Sequence, residues 1–277
     1  MNCYRLVILI AILCALVLAQ QLACAQELRR IHYGTSVSIS HLPVWVAKDG
    51  GDVVLLACPS DLEPIYLITR PEIKSAAELK GKSSAVTRLG SSTHFYLRAA
   101  LRNVGLDSEK DLTILQLGAG PEMAMALESG RIAVAALNIL YALPFLKRNW
   151  PVLVDLTKTD LVYPSSCVTS SRTFVKSEPR VVEDFLSAYV AAIQLIKKNQ
   201  SFAERSLAKW TREKDSYVLT KSVESHARIF KATPYVPDKG IENVMKDLAN
   251  RRNVSKEFIG RPELFRDNVP LDRALSR

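Results

Sequence analysis

The chain has 277 residues, 48% of them hydrophobic and 23% charged. That balance excludes disordered and collagen-like chains and leaves room for one large or two small domains with a packed core. The formal net charge of +9 raises nucleic acid or a membrane surface as partners, but Lys and Arg alternate with Asp and Glu, as in Lys246-Asp247, Lys256-Glu257 and Arg266-Asp267. No basic run with interleaved aromatics occurs, so the charge reads as a solvated surface and no nucleic-acid partner is expected.

In chain order, the first element is an export signal. Arg5 precedes the unbroken apolar run Leu6 to Leu18, and the small residues Ala23 and Ala25 flank Cys24. Thirteen residues at 1.5 Å rise cover about 20 Å, short of the ~30 Å hydrocarbon core, so cleavage after Ala25 is expected rather than a membrane anchor. A lipoprotein with acylated Cys24 fits less well, because Gln21 stands where an aliphatic residue is expected. The mature protein is then periplasmic or secreted. Removal of residues 1–25 takes three of the five cysteines and leaves Cys58 and Cys167. Spacing does not decide whether these two pair, and they read as separate buried thiols.

Arg30 to Ser36 reads as a strand opening into a Gly/Ser-rich loop, and Val44 to Lys48 as the start of a helix behind Pro43. Val53 to Ala57 is a continuous apolar run, the pattern of a strand buried on both faces. Ile65 to Thr69 is a second short strand. The texture then alternates: strand Ser84–Thr87, helix Ser92–Asn103, strand Leu112–Gln116, helix Pro121–Glu128, strand Ile132–Leu137. Short strands alternating with helices of about ten residues predict βαβ units and a largely parallel sheet. Val152–Asp155 and a stretch near Cys167 to Ser170 are further strands. Pro179 opens an amphipathic helix to about Asn199, with Val182, Phe185, Leu186, Tyr189, Ile193 and Ile196 on one face. Helices around Phe202–Trp210, Val218–Phe230 and Ile241–Ala249 follow. From Arg251 on, the chain is polar and interrupted by Pro262 and Pro270.

Catalytic signatures are missing: there is no G-x-S-x-G, P-loop, H-E-x-x-H or C-x-x-C. His32, His41, His94 and His226 show no metal-ligand spacing, so no metal and no cofactor are expected. Two segments suit capture of an anion or polar ligand. Gly90-Ser91-Ser92-Thr93 lies between a strand and a helix, where open N–H groups, the positive end of the helix dipole and three hydroxyls would cradle a small anion. An ordinary N-cap by Ser91 or Ser92 explains the same residues. Thr35 to His41 repeats the device with Ser36, Ser38 and Ser40.

The run Ile31-His32-Tyr33-Gly34 through Leu42-Pro43-Val44-Trp45-Val46-Ala47-Lys48 resembles the opening of solute-binding proteins of ABC transporters of the nitrate/sulfonate/taurine type, the SsuA-like group. Ile73 to Lys82, Gly90 to Thr93, Leu127 to Ala135, Tyr163-Pro164 and Pro179 to Leu186 carry the same resemblance, in order, from Leu28 to about Ala249. It implies an α/β, type 2 periplasmic-binding fold with two lobes and a hinge, closing on a ligand. The first lobe would comprise residues 26–81 and return over 168–277; the second would be 82–167. The ligand residues would be Ser36, Ser38, Ser40 and His41, Gly90, Ser91, Ser92 and Thr93, and the strand-end residues Asn138 and Tyr141. The function implied is capture of a small organic or anionic solute (sulfonate, nitrate, taurine or pyrimidine-like) by a monomer that delivers it to an ABC permease in the inner membrane, without catalysis.

Three departures qualify the resemblance. The family places a further βα unit between the Val44-Trp45 helix and the Val53–Ala57 strand, where this chain has only Lys48 to Asp52, so the first lobe is expected to be short. Ala133 stands where the family has Asp. The cysteine-rich iron motif of the thiamine-precursor-synthesising relatives is missing. A shortened relative acting as a sensor or interaction module, or one without ligand binding, is the alternative.

Overall fold

The computed structural model describes residues 52–249 and 258–277. The expected export signal, the strand at Arg30–Ser36 and the helix at Val44–Lys48 lie outside the described residues.

The strands are β1 (Val53–Ala57), β2 (Ile65–Thr69), β3 (Ser83–Val86), β4 (Thr113–Gln116), β5 (Val134–Asn138), β6 (Val152–Asp155) and β7 (Val168–Ser171). The helices are α1 (Ser92–Asn103), α2 (Ser108–Asp111), α3 (Gly120–Glu128), α4 (Ile139–Lys147), α5 (Arg172–Ser177), α6 (Pro179–Lys198), α7 (Gln200–Thr211), α8 (Ser216–Ile229), α9 (Asp238–Ala249) and α10 (Val269–Leu275).

Five strands form one sheet in the order β4-β3-β5-β2-β6. The apolar runs of its inner strands β2 and β5 are buried on both faces, as their lack of alternation requires. Along β2, Ile65 and Leu67 enter one core while Tyr66 and Ile68 face the other; along β5, Val134 and Ala136 are opposed to Ala135 and Leu137 in the same way. The first core takes Phe95, Tyr96, Leu97, Ala100 and Leu101 from α1, with Val244 and Leu248 from α9. The second takes Met123, Ala126 and Leu127 from α3 and Ala142 and Phe145 from α4.

The sheet is mixed rather than largely parallel. β3 runs parallel to β4 and β5, but β2 is antiparallel to both β5 and β6. A double-sided apolar run reports burial, not direction, so the reversal left no mark in the sequence pattern. Nor does β2 pair with β1, the strand before it. It sits inside the sheet of β3 to β6, although the sequence division grouped it with residues 26–81.

Among the described residues, β1 and β7 form a separate antiparallel ladder, Val53 opposite Ser171 and Ala57 opposite Val168. Val54 and Leu56 pack on Val182, Leu186 and Val190 of α6 and on Leu271 and Ala274 of α10. Leu55 turns the other way, toward Val236, Ile241, Met245 and Phe265. Helix α9 therefore serves two cores, through Val244 and Leu248 on one side and Ile241 and Met245 on the other, the i, i+3, i+4 geometry of one helix with two buried stripes.

The two ladders are joined by the segments that follow β1 and precede β7. These run side by side: Ser60 bridges Ser165, the Tyr163 N–H donates to the Asp61 carbonyl (2.6 Å), and Ser165 and Ser166 donate hydroxyls to Glu63 (2.6 and 2.8 Å). Cys58 and Cys167 form a disulfide there, with Cα atoms 4.1 Å apart. The expectation of separate thiols is corrected. The antiparallel register that sets Ala57 against Val168 brings the next residue of each segment together, which a separation of 109 residues in sequence does not reveal.

Candidate functional site

Because β4, β3 and β5 are parallel neighbours, their carboxyl ends share one edge of the sheet. Each leads directly into a helix: β3 through residues 87–91 into α1, β4 through 117–119 into α3, and β5 through Asn138 into α4. Three helix N-termini thus start from one edge, the position at which open α/β sheets bind ligands and where N–H groups and helix dipoles favour anions.

The turn between β3 and α1 is the most elaborated. Gly90 has φ +83°, the left-handed region that favours glycine. Its N–H donates to His94 Nδ1 (2.9 Å). The Ser91 hydroxyl caps α1 by accepting from the His94 N–H. Thr93 Oγ1 accepts from the Thr87 N–H (3.0 Å). The hydroxyls of Thr87, Ser91 and Thr93 lie 2.8–3.2 Å from one another, a closed triangle of groups that each donate and accept. The neighbouring turn braces this one, since the Leu89 N–H donates to Gln116 Oε1 (2.9 Å) and the Gly118 N–H to the Thr87 carbonyl (3.1 Å).

On the other side of β3, Asn138 caps α4 by accepting from the Tyr141 N–H (3.4 Å). The Tyr141 ring lies directly on Gly120 at the start of α3; a methyl group built on that glycine would overlap the ring. Half-burial, and secondarily the charge of Glu122, push the Tyr141 phenol above the ordinary tyrosine value. The phenol is therefore a neutral hydrogen-bonding group at neutral pH.

Of the residues expected from sequence, Ser36, Ser38, Ser40 and His41 lie outside the described residues. Gly90, Ser91, Ser92 and Thr93 form the first turn of α1 and its approach, with Ser92 partly exposed. Asn138 and Tyr141 stand on the same sheet edge, on a helix that the sequence reading did not foresee. The Gly90 N–H, expected to be open to a ligand, is committed to His94. Sequence reasoning missed Thr87, Gln116 and Gly120. Thr87 was legible as a hydroxyl closing a strand three residues before Gly90; Gln116 and Gly120 become relevant only once β3, β4 and β5 are known to be neighbours. Among the described residues, no cluster of three His, Cys, Asp or Glu side chains is placed to hold a metal ion.

The fold is shared with solved periplasmic binding proteins. A structure from Bordetella bronchiseptica RB50 superposes with a TM-score of 0.71 at 21% identity, covering 86% of this chain and 79% of the other. The periplasmic aliphatic sulphonate binding protein SsuA from Escherichia coli matches with a TM-score of 0.60 at 21% identity, over 78% and 70% of the two chains. The desulfurization enzyme DszB has the same fold, with a TM-score of 0.65 at 15% identity over 86% and 84%. None of the curated proteins matches the chain by sequence. Residues 70–211 match the NMT1-like family, and the chain belongs to that family.

Proposed function

We propose that this protein is the periplasmic solute-binding component of an ABC importer, and that it captures a small oxyanion-bearing solute of the sulfonate class. The observation that carries this reading is the shared sheet edge, from which α1, α3 and α4 start and where the Thr87-Ser91-Thr93 hydroxyl triangle lies in the turn before α1. The resemblance in fold to a sulphonate-binding protein supports the same ligand class. The export signal with cleavage after Ala25 agrees with a periplasmic location, and no helix among the described residues is long and apolar enough to cross a membrane.

In this reading Gly90 to Thr93, Asn138 and Tyr141 are ligand residues, and Ser36, Ser38, Ser40 and His41 are further ones proposed from the sequence resemblance. The five-stranded sheet forms one lobe and the β1–β7 ladder belongs to the other, shorter lobe, with the hinge at residues 58–64 and 156–167. The protein works as a monomer, closes its lobes on the solute and hands it to an inner-membrane permease, and no bond is made or broken.

Binding to the native state raises its stability by RT ln(1 + [L]/Kd). Ethanesulfonate, taurine, nitrate and a pyrimidine, each at millimolar concentration, are the panel for a thermal shift. A rise in Tm with ethanesulfonate or taurine, abolished in Thr93→Val, is expected; no shift across the panel overturns the reading. The fold shared with DszB, solved with biphenyl-2-sulfinic acid, favours a second reading, a sulfinate-processing enzyme, which sulfite release from biphenyl-2-sulfinate and water would reveal.

A further inference from the structure

We infer that His94 is a positioning residue: through a neutral imidazole protonated on Nε2, it holds the Gly90–Thr93 turn in its binding conformation and makes oxyanion capture fall off in acid. The capture half of this inference rests on the proposed function; the positioning half does not.

His94 is only 4% exposed, although it lies on the first turn of α1 at the polar edge of the sheet. Its ring turns back on its own loop. Nδ1 accepts the Gly90 N–H at 2.9 Å, so it carries a lone pair and the ring proton resides on Nε2. Nε2 lies 2.9 Å from Glu109 Oε1 on α2, which accepts that proton's hydrogen bond. The imidazole thus spans the turn backbone on one side and a carboxylate on the other. Gly90, with φ +83°, has its N–H aimed by a conformation that other residues rarely adopt. Ser91 follows at once, and its hydroxyl belongs to the triangle with Thr87 and Thr93.

Protonation of the ring gives Nδ1 a hydrogen that points at the Gly90 N–H. Two donors then face each other, and the turn must move away. Glu109 favours the protonated ring, while burial and the Gly90 contact oppose it. Among the described residues, several charged groups on the neighbouring elements pair with one another. On the α2 segment, Lys110 pairs with Asp107 (3.9 Å) and Lys80 with Asp111 (3.8 Å); on α1, Arg98 and Arg102 face Asp247. Arg88, in the loop before Gly90, is exposed. Protonation of the ring therefore loosens the turn.

The test uses ethanesulfonate, which stays fully ionised from pH 8 to pH 5, with binding followed by calorimetry and the Gly90 amide by ¹H–¹⁵N NMR. In the wild-type protein affinity falls about fivefold to tenfold over this range, the value of one hydrogen bond, and the Gly90 amide resonance titrates with the His94 ring. His94→Leu removes the acceptor and weakens binding by a similar factor at pH 8. His94→Asn presents a non-titrating oxygen at the Nδ1 position, restores binding relative to His94→Leu and gives a flat pH profile.

A Gly90 amide that ignores the His94 titration overturns the inference, whatever the binding data show. So does binding with the same pH profile in wild type and His94→Asn. If ethanesulfonate fails to bind at pH 8 while Gly90 titrates with His94, the positioning role stands and the transport reading falls.

Discussion

Arg98 carries a full charge into a site where it is 2% exposed, and Asp247, also 4% exposed, receives it through two hydrogen bonds of 3.2 and 2.5 Å. The pair links α1, on the five-stranded sheet, to α9, the helix shared between cores. Arg102 lies 3.7 Å from the same carboxylate. Breaking such a pair costs more than the pair itself is worth, because a buried charge is left behind. Arg98→Met is therefore expected to destabilise in urea unfolding, by less than the ~3–5 kcal/mol of a fully uncompensated charge because Arg102 still faces Asp247, whereas Arg98→Met combined with Asp247→Leu is expected to cost less than the single variant. Equal losses in the single and double variants would show that packing, not charge, decides this contact. The same distinction separates what the sequence revealed at the candidate site from what it hid. Hydroxyls clustered between a strand and a helix are visible in Gly90 to Thr93. That His94 folds back on Gly90 depends on how the turn is closed in space, and no residue pattern encodes it.

Helices α3 and α4 meet through a glycine. Gly120 begins α3 and the Tyr141 ring of α4 rests on it, so the two N-termini at the sheet edge are set at a distance that only a hydrogen side chain permits. Gly120→Ala is expected to destabilise by about 1–3 kcal/mol, the usual cost of overpacking. On a Tyr141→Ala background the same substitution is expected to be near neutral; this cycle isolates the ring as the cause, and a full penalty on both backgrounds would assign it to the backbone instead. Most elements were legible because each sequence pattern has one physical source. Val53–Ala57, Ile65–Thr69, Ser92–Asn103 and Val152–Asp155 have the bounds expected from their apolar runs and caps. Helix α4 was not foreseen: Ile139 to Leu146 has no polar face to set a helical period, and Pro144 lies inside it. Helix α10 was hidden by Pro270, which sits in the first turn that proline tolerates, rather than interrupting a loop. Strand direction was beyond reach for the same reason as at β2, since burial on both faces is indifferent to it.

At the scale of the whole molecule, the Cys58–Cys167 disulfide closes the chain just outside the five-stranded sheet. The segment between the two cysteines, which are 109 positions apart in sequence, contains β2 to β6 and α1 to α4. Everything that builds the sheet edge with its three helix N-termini is enclosed in one covalent loop, and the segments entering and leaving it are pinned side by side. A crosslink of this kind acts mainly on the unfolded chain, whose freedom it removes, and the effect grows with loop length. Cys58→Ala with Cys167→Ala is thus expected to lower stability by about 3–5 kcal/mol, read as a shift in the urea midpoint with the slope also altered, because the denatured state expands. The folded structure already holds the two segments together through the Ser60–Ser165 bridge and the Glu63 contacts, so the far-ultraviolet spectrum and the ethanesulfonate thermal shift should persist in the double variant at low temperature. A variant with an unchanged midpoint would mean that the denatured chain keeps these segments together without the bond. A variant that stays folded but no longer responds to ethanesulfonate would instead make the disulfide part of the binding geometry. Thiol titration separates both outcomes from incomplete oxidation: the other three cysteines all lie in Met1 to Ala25, so the chain cleaved after Ala25 should expose no free thiol even when denatured.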